Sequence, residues 1–228
     1  AVGLAGCAAA DGRAGGGGGS DGDADADSDG DADTDTSYDT EGLGSGGCDA
    51  MDILFVVDNS ESMTDEQENL AANFPAFIQV LEDYLNPDGD PITFRVGVTS
   101  TGVAVTYTEK NGWMTTEADT TWLGQTHDGV LQGQSSCSMT APWIDGPAPA
   151  VASQFSCAAD VGVNGSAIEM PFAALELALG AQSATGFPNE GFYRHDENSL
   201  LVVIVITDED DCSIEPGGTM VLDDMAHD

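Results

Sequence analysis

The chain has 228 residues, enough for one domain and additional segments, and it carries 41 acidic residues against four basic ones, a net charge of −37. Nucleic-acid binding through phosphate contacts needs a basic footprint, which Arg13, Arg95, Lys110 and Arg194 do not supply. Charge of this sign favours solubility and cation binding and repels anionic surfaces, and no apolar run approaches the roughly 20 residues of a membrane span.

Residues 1–7, AVGLAGC, read as the end of a signal peptide. Leu4-Ala5-Gly6-Cys7 is similar to a bacterial lipobox, in which small residues precede a cysteine that becomes lipidated. That resemblance implies lipidation at Cys7 and a membrane contact made by the lipid anchor only. The domain would then sit in the bacterial cell envelope, on the periplasmic side or at the cell surface. The charged and long apolar parts of a signal do not precede these residues, so the sequence is expected to begin inside one.

Residues 8–47 are Gly- and Asp-rich and hold almost nothing to bury, which predicts a disordered linker stretched by self-repulsion. Asp25-Ala26-Asp27-Ser28-Asp29-Gly30 matches the opening of an EF-hand calcium loop. Thr36 stands where that loop places its bidentate Glu, and no helices flank it, so a spacer is the preferred reading.

The folded domain is placed at 48–228. After Cys48 comes Ile53-Leu54-Phe55-Val56-Val57, apolar at every position, as in a strand covered on both faces. It ends at Asp58-Asn59-Ser60-Glu61-Ser62, where a strand opens into a loop at its carboxyl end, the place where ligands bind in open α/β sheets. One carboxylate and two hydroxyls on alternate residues suit a hard cation, Mg²⁺ or Ca²⁺. The alternative is an ordinary loop with an Asx turn and helix caps.

A helix is expected from Thr64, with Thr64 and Gln67 as a capping box and Leu70, Phe74, Phe77, Ile78, Leu81 and Leu85 as its apolar stripe. Pro75 predicts a kink or break. Ile92 to Thr99 reads as a second strand, so strand, helix and strand imply a right-handed crossover and a parallel sheet. Val103 to Thr108 reads as a short third strand. The remainder of 101–163 reads as a long irregular insert that Cys137 and Cys157 could fasten, with Trp113, Trp122 and Trp143 read as its anchors in preference to ligand contacts. His127 and His195 have no partners at zinc-like spacing and read as surface residues.

Residues 162–182 carry a second helix, with Ser166-Ala167-Ile168-Glu169 as its capping box. Leu200 to Ile206, LLVVIVI, reads as a central parallel strand buried on both faces, ending in Thr207-Asp208 and three more acids before Cys212. Those acids either favour Ca²⁺, which takes more ligands and charge than Mg²⁺, or form a solvated loop.

The D-x-S-x-S at Asp58, Ser60 and Ser62, followed by Thr207-Asp208 after a second buried strand, resembles the von Willebrand factor type A family and its metal-ion-dependent adhesion site. Lipobox, acidic linker, DNSES and TDEDDC together are similar to type A domain lipoproteins of myxobacteria and related bacteria. The resemblance covers about Met51 to Cys212. It implies a three-layer, doubly wound, mostly parallel α/β fold, Rossmann-like in arrangement, whose last strands would lie beyond Asp228. It also implies a metal held by Asp58, Ser60, Ser62 and Asp208. The family takes a further ligand from a Thr before the second helix; no Thr stands there, and Ser166 and Glu169 are the substitutes.

The function implied is a cation-dependent, adhesion-type protein-binding module, in which a partner's acidic side chain completes the metal's coordination. An alternative is a structural envelope-assembly protein whose metal only stabilises it. A metal-assisted hydrolase is disfavoured: there is no G-x-S-x-G elbow, no phosphate-cradling G-x-x-x-x-G-K and no His placed as a base. With Cys7 lipidated, four cysteines remain outside the cytoplasm, and Cys157–Cys212 or Cys137–Cys157 is the expected disulfide.

Overall fold

The computed structural model describes residues 48–214 other than 87, 106, 112–113, 119–123, 167 and 196–198, with the backbone alone of the strands at 3–4, 107–111, 114–118 and 220–223. Cys7, the linker, Trp113 and Trp122 therefore lie outside the described residues or their side chains.

Among the described residues, ten further strands and α-helices follow the two-residue strand β1 (Gly3–Leu4): β2 (Ala50–Val57), α1 (Thr64–Glu82), β3 (Thr93–Ser100), β4 (Tyr107–Asn111), β5 (Met114–Ala118), β6 (Ile144–Gly146), α2 (Val151–Ala158), α3 (Pro171–Leu179), β7 (Ser199–Ile206) and β8 (Met220–Asp223). The main sheet has the order β1-β7-β2-β3-β6. Its three long strands are parallel, and β1 and β6 join antiparallel at the two sides. A second sheet runs β5-β4-β8. The class is α/β with a mixed, mostly parallel sheet. The register matters for the site: Val57 lies opposite both Ser100 and Ile206, so three parallel strands end level and their loops leave from one edge.

Alternate residues of β2 enter two different cores, as a continuous apolar strand should. Ile53, Phe55 and Val57 pack with Phe74, Ile78 and Leu81 of α1 and with Val151, Phe155 and Ala158 of α2. Leu54 and Val56 pack with Ala174 and Ala178 of α3, with Met170 and with Phe192. Phe55 meets the edges of the Phe74 and Phe155 rings at 5.9 and 4.8 Å between centroids. By contrast, Val202 is the one buried residue of β7 and the rest are half-buried, so this strand is not the doubly buried one expected.

The amino ends of the strands carry the two arginines described. Asp52 is fully buried inside β2, and the Arg194 side chain meets it at 2.7 Å. Arg194 also donates its backbone N–H to Asp52 Oδ2 and guanidinium N–H groups to Thr93 Oγ1 and the Met51 carbonyl. Every requirement of a buried pair, opposite charge plus satisfied hydrogen bonds, is met here. Arg95 of β3 donates to Asp145 and the Phe192 carbonyl and lies over the Trp143 ring, 5.0 Å from its centroid. Trp143 is thus an anchor of the 101–163 insert.

Several local expectations are corrected. Pro75 does not break α1 into two helices; the helix runs through it. A proline frees the carbonyl four residues back, and that Ala71 carbonyl accepts the Ser156 hydroxyl of α2 at 3.4 Å. Thr64 and Gln67 form no capping box: Thr64 Oγ1 donates to the Glu61 carbonyl, and Gln67 turns inward. The insert contains α2, a helix not anticipated, and its strand begins at Tyr107, while Val103 and Val105 are buried in the second core. The helix in 162–182 begins only at Pro171, a residue suited to a first helical position. Its cap comes from elsewhere: Asp211 Oδ1 accepts the Phe172 N–H and Ser213 Oγ the Ala173 N–H. Asp211 is therefore a helix cap as well as an acid of the 208–211 run.

Cys137 and Cys157 form a disulfide, tying the loop at Cys137 to α2 within the insert, while Cys212 has a free, exposed thiol, which removes Cys157–Cys212 from consideration.

Candidate functional site

The loops after β2 and β7 are knitted together by side chains that the level strand ends bring side by side. Asp58 N–H donates to the Ile206 carbonyl at 2.9 Å, extending the ladder one residue past β2. The Asp58 carboxylate, fully buried, accepts the Ser60 N–H at Oδ1 (2.8 Å) and the Thr207 hydroxyl at Oδ2 (2.7 Å). Ser60 Oγ and Ser62 Oγ are 3.0 Å apart, and Ser62 Oγ donates to Asp208 Oδ1 at 3.3 Å. Asp58, Ser60, Ser62 and Asp208 are thus linked in series over the carboxyl edge, the Asp58–Ser60 link through the Ser60 backbone N–H and the others between side-chain oxygens. Ser60 is buried; Ser62 and Asp208 are exposed.

A third loop, before α3, lies against the first. Gly165 N–H donates to the Asn59 carbonyl at 2.6 Å, and a β-carbon on Gly165 would stand 2.4 Å from Asn59 Oδ1, so this approach needs a glycine. Gln67 clamps the two loops by donating to the Asp58 carbonyl (2.8 Å) and the Gly162 carbonyl (2.9 Å). Thr101 holds the same loop from β3, its carbonyl accepting the Met170 N–H, and Cys212 N–H reaches the Glu169 carbonyl at 2.8 Å.

The two substitutes proposed in this loop differ sharply. Ser166 is buried and its Oγ accepts the Ile168 N–H at 2.8 Å, a bond within its own loop. Glu169 is 1 % exposed, and neither carboxylate oxygen has a hydrogen-bond partner among the described residues. Burial first, and then the nearby Asp58 charge, push its carboxyl up to about 7. A buried carboxylate without a partner is costly unless a cation or proton neutralises it. Neither residue caps α3.

Asn59 Oδ1 is the other buried oxygen without a hydrogen-bond partner among the described residues, while Asn59 Nδ2 donates to the Gln125 carbonyl. His127 is half-buried and not a plain surface residue: Nδ1 pairs with Ser100 Oγ at 2.7 Å and Nε2 with Gln125 Nε2 at 3.0 Å. Burial lowers its pKa, against the pull of Asp128. The Cys212 thiol is pushed up by desolvation and by Glu169, Asp211 and its other acidic neighbours, which disfavours a reactive thiolate.

Chemically, the cluster offers hard oxygen donors of the kind Mg²⁺ and Ca²⁺ take. No group of three or more His, Cys, Asp and Glu side chains gathered for a metal occurs among the described residues; hydroxyls make up half of the Asp58–Asp208 chain. The fit to a divalent cation rests on that hydroxyl–carboxylate chain and on the partnerless oxygens of Glu169. Thr207, Gln67 and Asn59 were not singled out as site residues from sequence. Thr207 was legible as half of the T-D pair; Gln67 and Asn59 left no signal separable from capping and turn chemistry. The chain matches no protein-family model, no curated protein and no solved structure. Among the described residues, no helix is long and apolar enough to cross a membrane.

Proposed function

We propose that the protein is a divalent-cation-dependent, adhesion-type protein-binding module, built as a three-layer, doubly wound domain of the von Willebrand factor type A kind and tethered to the cell envelope by a lipid on Cys7. The observation that carries this reading is the Ser62–Asp208 hydrogen bond, which joins two segments 146 residues apart at the carboxyl edge of adjacent parallel strands. Asp58, Ser60, Ser62 and Asp208 would hold Mg²⁺ or Ca²⁺, with Glu169 or Ser166 adding a ligand from the third loop. The cation supplies positive charge at the surface, and an acidic side chain of a partner protein binds to it; no bond is made or broken. The exposure of Ser62 and Asp208 beside buried Asp58 and Ser60 supports a cation reachable from one side.

Asp208→Ala is the cleaner test, because Asp58 also accepts two structural hydrogen bonds whereas Asp208 is exposed. The expected outcome is loss of Mg²⁺ or Ca²⁺ binding in calorimetry, with an unchanged circular dichroism spectrum. Loss of cation-dependent capture of envelope proteins, comparing Mg²⁺ with EDTA, should accompany it. Unchanged cation affinity would refute the reading. A large EDTA-induced fall in melting temperature with no cation-dependent partner would instead favour a purely stabilising metal.

A further inference from the structure

We propose that a cavity between α1 and the carboxyl end of α2 receives an arginine side chain of a partner protein. Occupancy of this cavity does not depend on cation binding at the carboxyl edge of the sheet.

The cavity has a volume of about 330 Å³ and is lined by Thr64, Gln67 and Glu68 of α1, Ser156 of α2 and Asp160 of the loop that follows. That volume falls at the lower end of the roughly 300–1,000 Å³ typical of small-ligand sites. Its polar side chains share one property: they can accept hydrogen bonds and have no proton left to donate. Glu68 and Asp160 are exposed carboxylates. Thr64 gives its hydroxyl proton to the Glu61 carbonyl and Ser156 gives its own to the Ala71 carbonyl, so each keeps only oxygen lone pairs. Gln67 is 7 % exposed, and its Nε2 is committed to the Asp58 and Gly162 carbonyls. Two carbonyl partners settle which end of that amide is nitrogen. Oε1 accepts no hydrogen bond among the described residues, so a buried side chain of fixed orientation contributes an amide oxygen without a donor to the lining.

A lining of acceptors alone, two of them anionic, selects a ligand that only donates and carries positive charge. Arginine and lysine are the side chains of that description. Arginine fits better on two counts. The acceptors come from two helices and a loop, which suits five N–H donors in a planar fork more than one compact ammonium, and the guanidinium group gives up its water more readily. Ala71 and Val163 add apolar surface for the aliphatic stem. The arginines among the described residues are engaged elsewhere, Arg95 with Asp145 and Arg194 with Asp52, at the amino ends of the strands. The net charge of −37 draws a basic partner toward this surface.

The test is a titration of the full chain with N-acetyl-arginine methylamide, followed by backbone amide chemical shifts in nuclear magnetic resonance. MgCl₂ is present throughout to occupy the acidic linker and the oxygen cluster. The neutral analogue N-acetyl-citrulline methylamide and the α-N-acetyl-lysine methylamide are titrated alongside. We expect saturable shifts at Gln67, Glu68, Asp160 and Val163, with binding at least about tenfold weaker for citrulline, and for arginine to Glu68→Gln or Asp160→Asn, because each removes a charge-assisted hydrogen bond. Both residues are exposed, so both variants should fold, which a circular dichroism melt checks. Glu82→Gln removes the same charge from the opposite end of α1 and should leave arginine binding unchanged, as should Asp208→Ala. Citrulline bound as tightly as arginine, an equal loss in Glu82→Gln and Glu68→Gln, or unsaturable shifts spread over the acidic loops would overturn the proposal. Loss of binding in Asp208→Ala would overturn it too, by moving the arginine to the oxygen cluster, and lysine bound as tightly as arginine would overturn the choice of occupant.

Discussion

The Thr207 hydroxyl donates to Asp58 Oδ2 at 2.7 Å and accepts the Glu209 N–H at 3.2 Å, so a single side chain orients the buried carboxylate of one strand end and the acidic loop of the next. Thr207→Val keeps the shape and removes both bonds. Because Asp58 is fully buried, the loss should cost about 1–3 kcal/mol in urea denaturation and weaken cation binding in calorimetry. Thr207→Ser should restore most of each.

Arg194 answers the fully buried Asp52, and breaking such a pair from one side leaves a charge with no counterpart. Arg194→Met should destabilise the domain by about 3–5 kcal/mol, measured by chemical denaturation. Asp52→Leu combined with Arg194→Met should recover most of the loss, since removing both charges also removes their desolvation. Cation binding, at the far end of the same strands, should be unaffected in the double variant.

Pro75 and Ser156 form a second linked pair. Ser156→Ala leaves the Ala71 carbonyl without its donor and should cost about 1 kcal/mol. Pro75→Ala restores the intrahelical N–H, so Ser156→Ala on that background should cost measurably less. A double-mutant cycle in urea reads the coupling.

Glu169 gives a pH dependence of definite sign. Its folded-state pKa, about 7, lies above the ordinary 4.5, so the folded chain keeps a proton that the unfolded chain releases. Its contribution to stability is therefore full below about 4.5, falls as pH rises and levels off above about 7. The stability difference between the natural sequence and Glu169→Gln, measured without divalent cation from about pH 4 to 8, should decline across that window. The comparison cancels His127, whose lowered pKa acts in the opposite sense on acidification.

What the sequence made legible follows from how local each signal is. The runs at Ile53–Val57 and Leu200–Ile206 are strands because β-branched residues crowd them, and both end in Asp where expected, within hydrogen-bonding reach of one another's loops. Capping was misread twice, at Thr64–Gln67 and at Ser166–Glu169. Gln67 instead serves two loops, and α3 is capped by Asp211 and Ser213 from about forty residues away, while Thr64 and Ser166 bond within their own loops. At Pro75 the helix does not break, and the carbonyl the proline frees is taken by Ser156 of another helix, a partner no local signal reveals. Asp52 left no functional or structural signal in its strand, because its partner Arg194 is 142 residues distant.

Arg95 and Arg194 are two of the chain's four basic residues, and both sit at the amino ends of the parallel strands, while Asp58 and the 208–211 acids gather at the carboxyl ends. At the amino ends the arginines are offset by Asp52 and Asp145, whereas among the described residues no basic side chain pairs with the carboxylates of the oxygen cluster, so negative charge is left uncompensated at that rim. Long-range attraction of this kind funnels mobile cations toward one rim and hastens their capture. It fades once the Debye length shrinks to about 8 Å near 0.15 M salt, so the rate of ion uptake should slow with rising ionic strength much more than the rate of release changes.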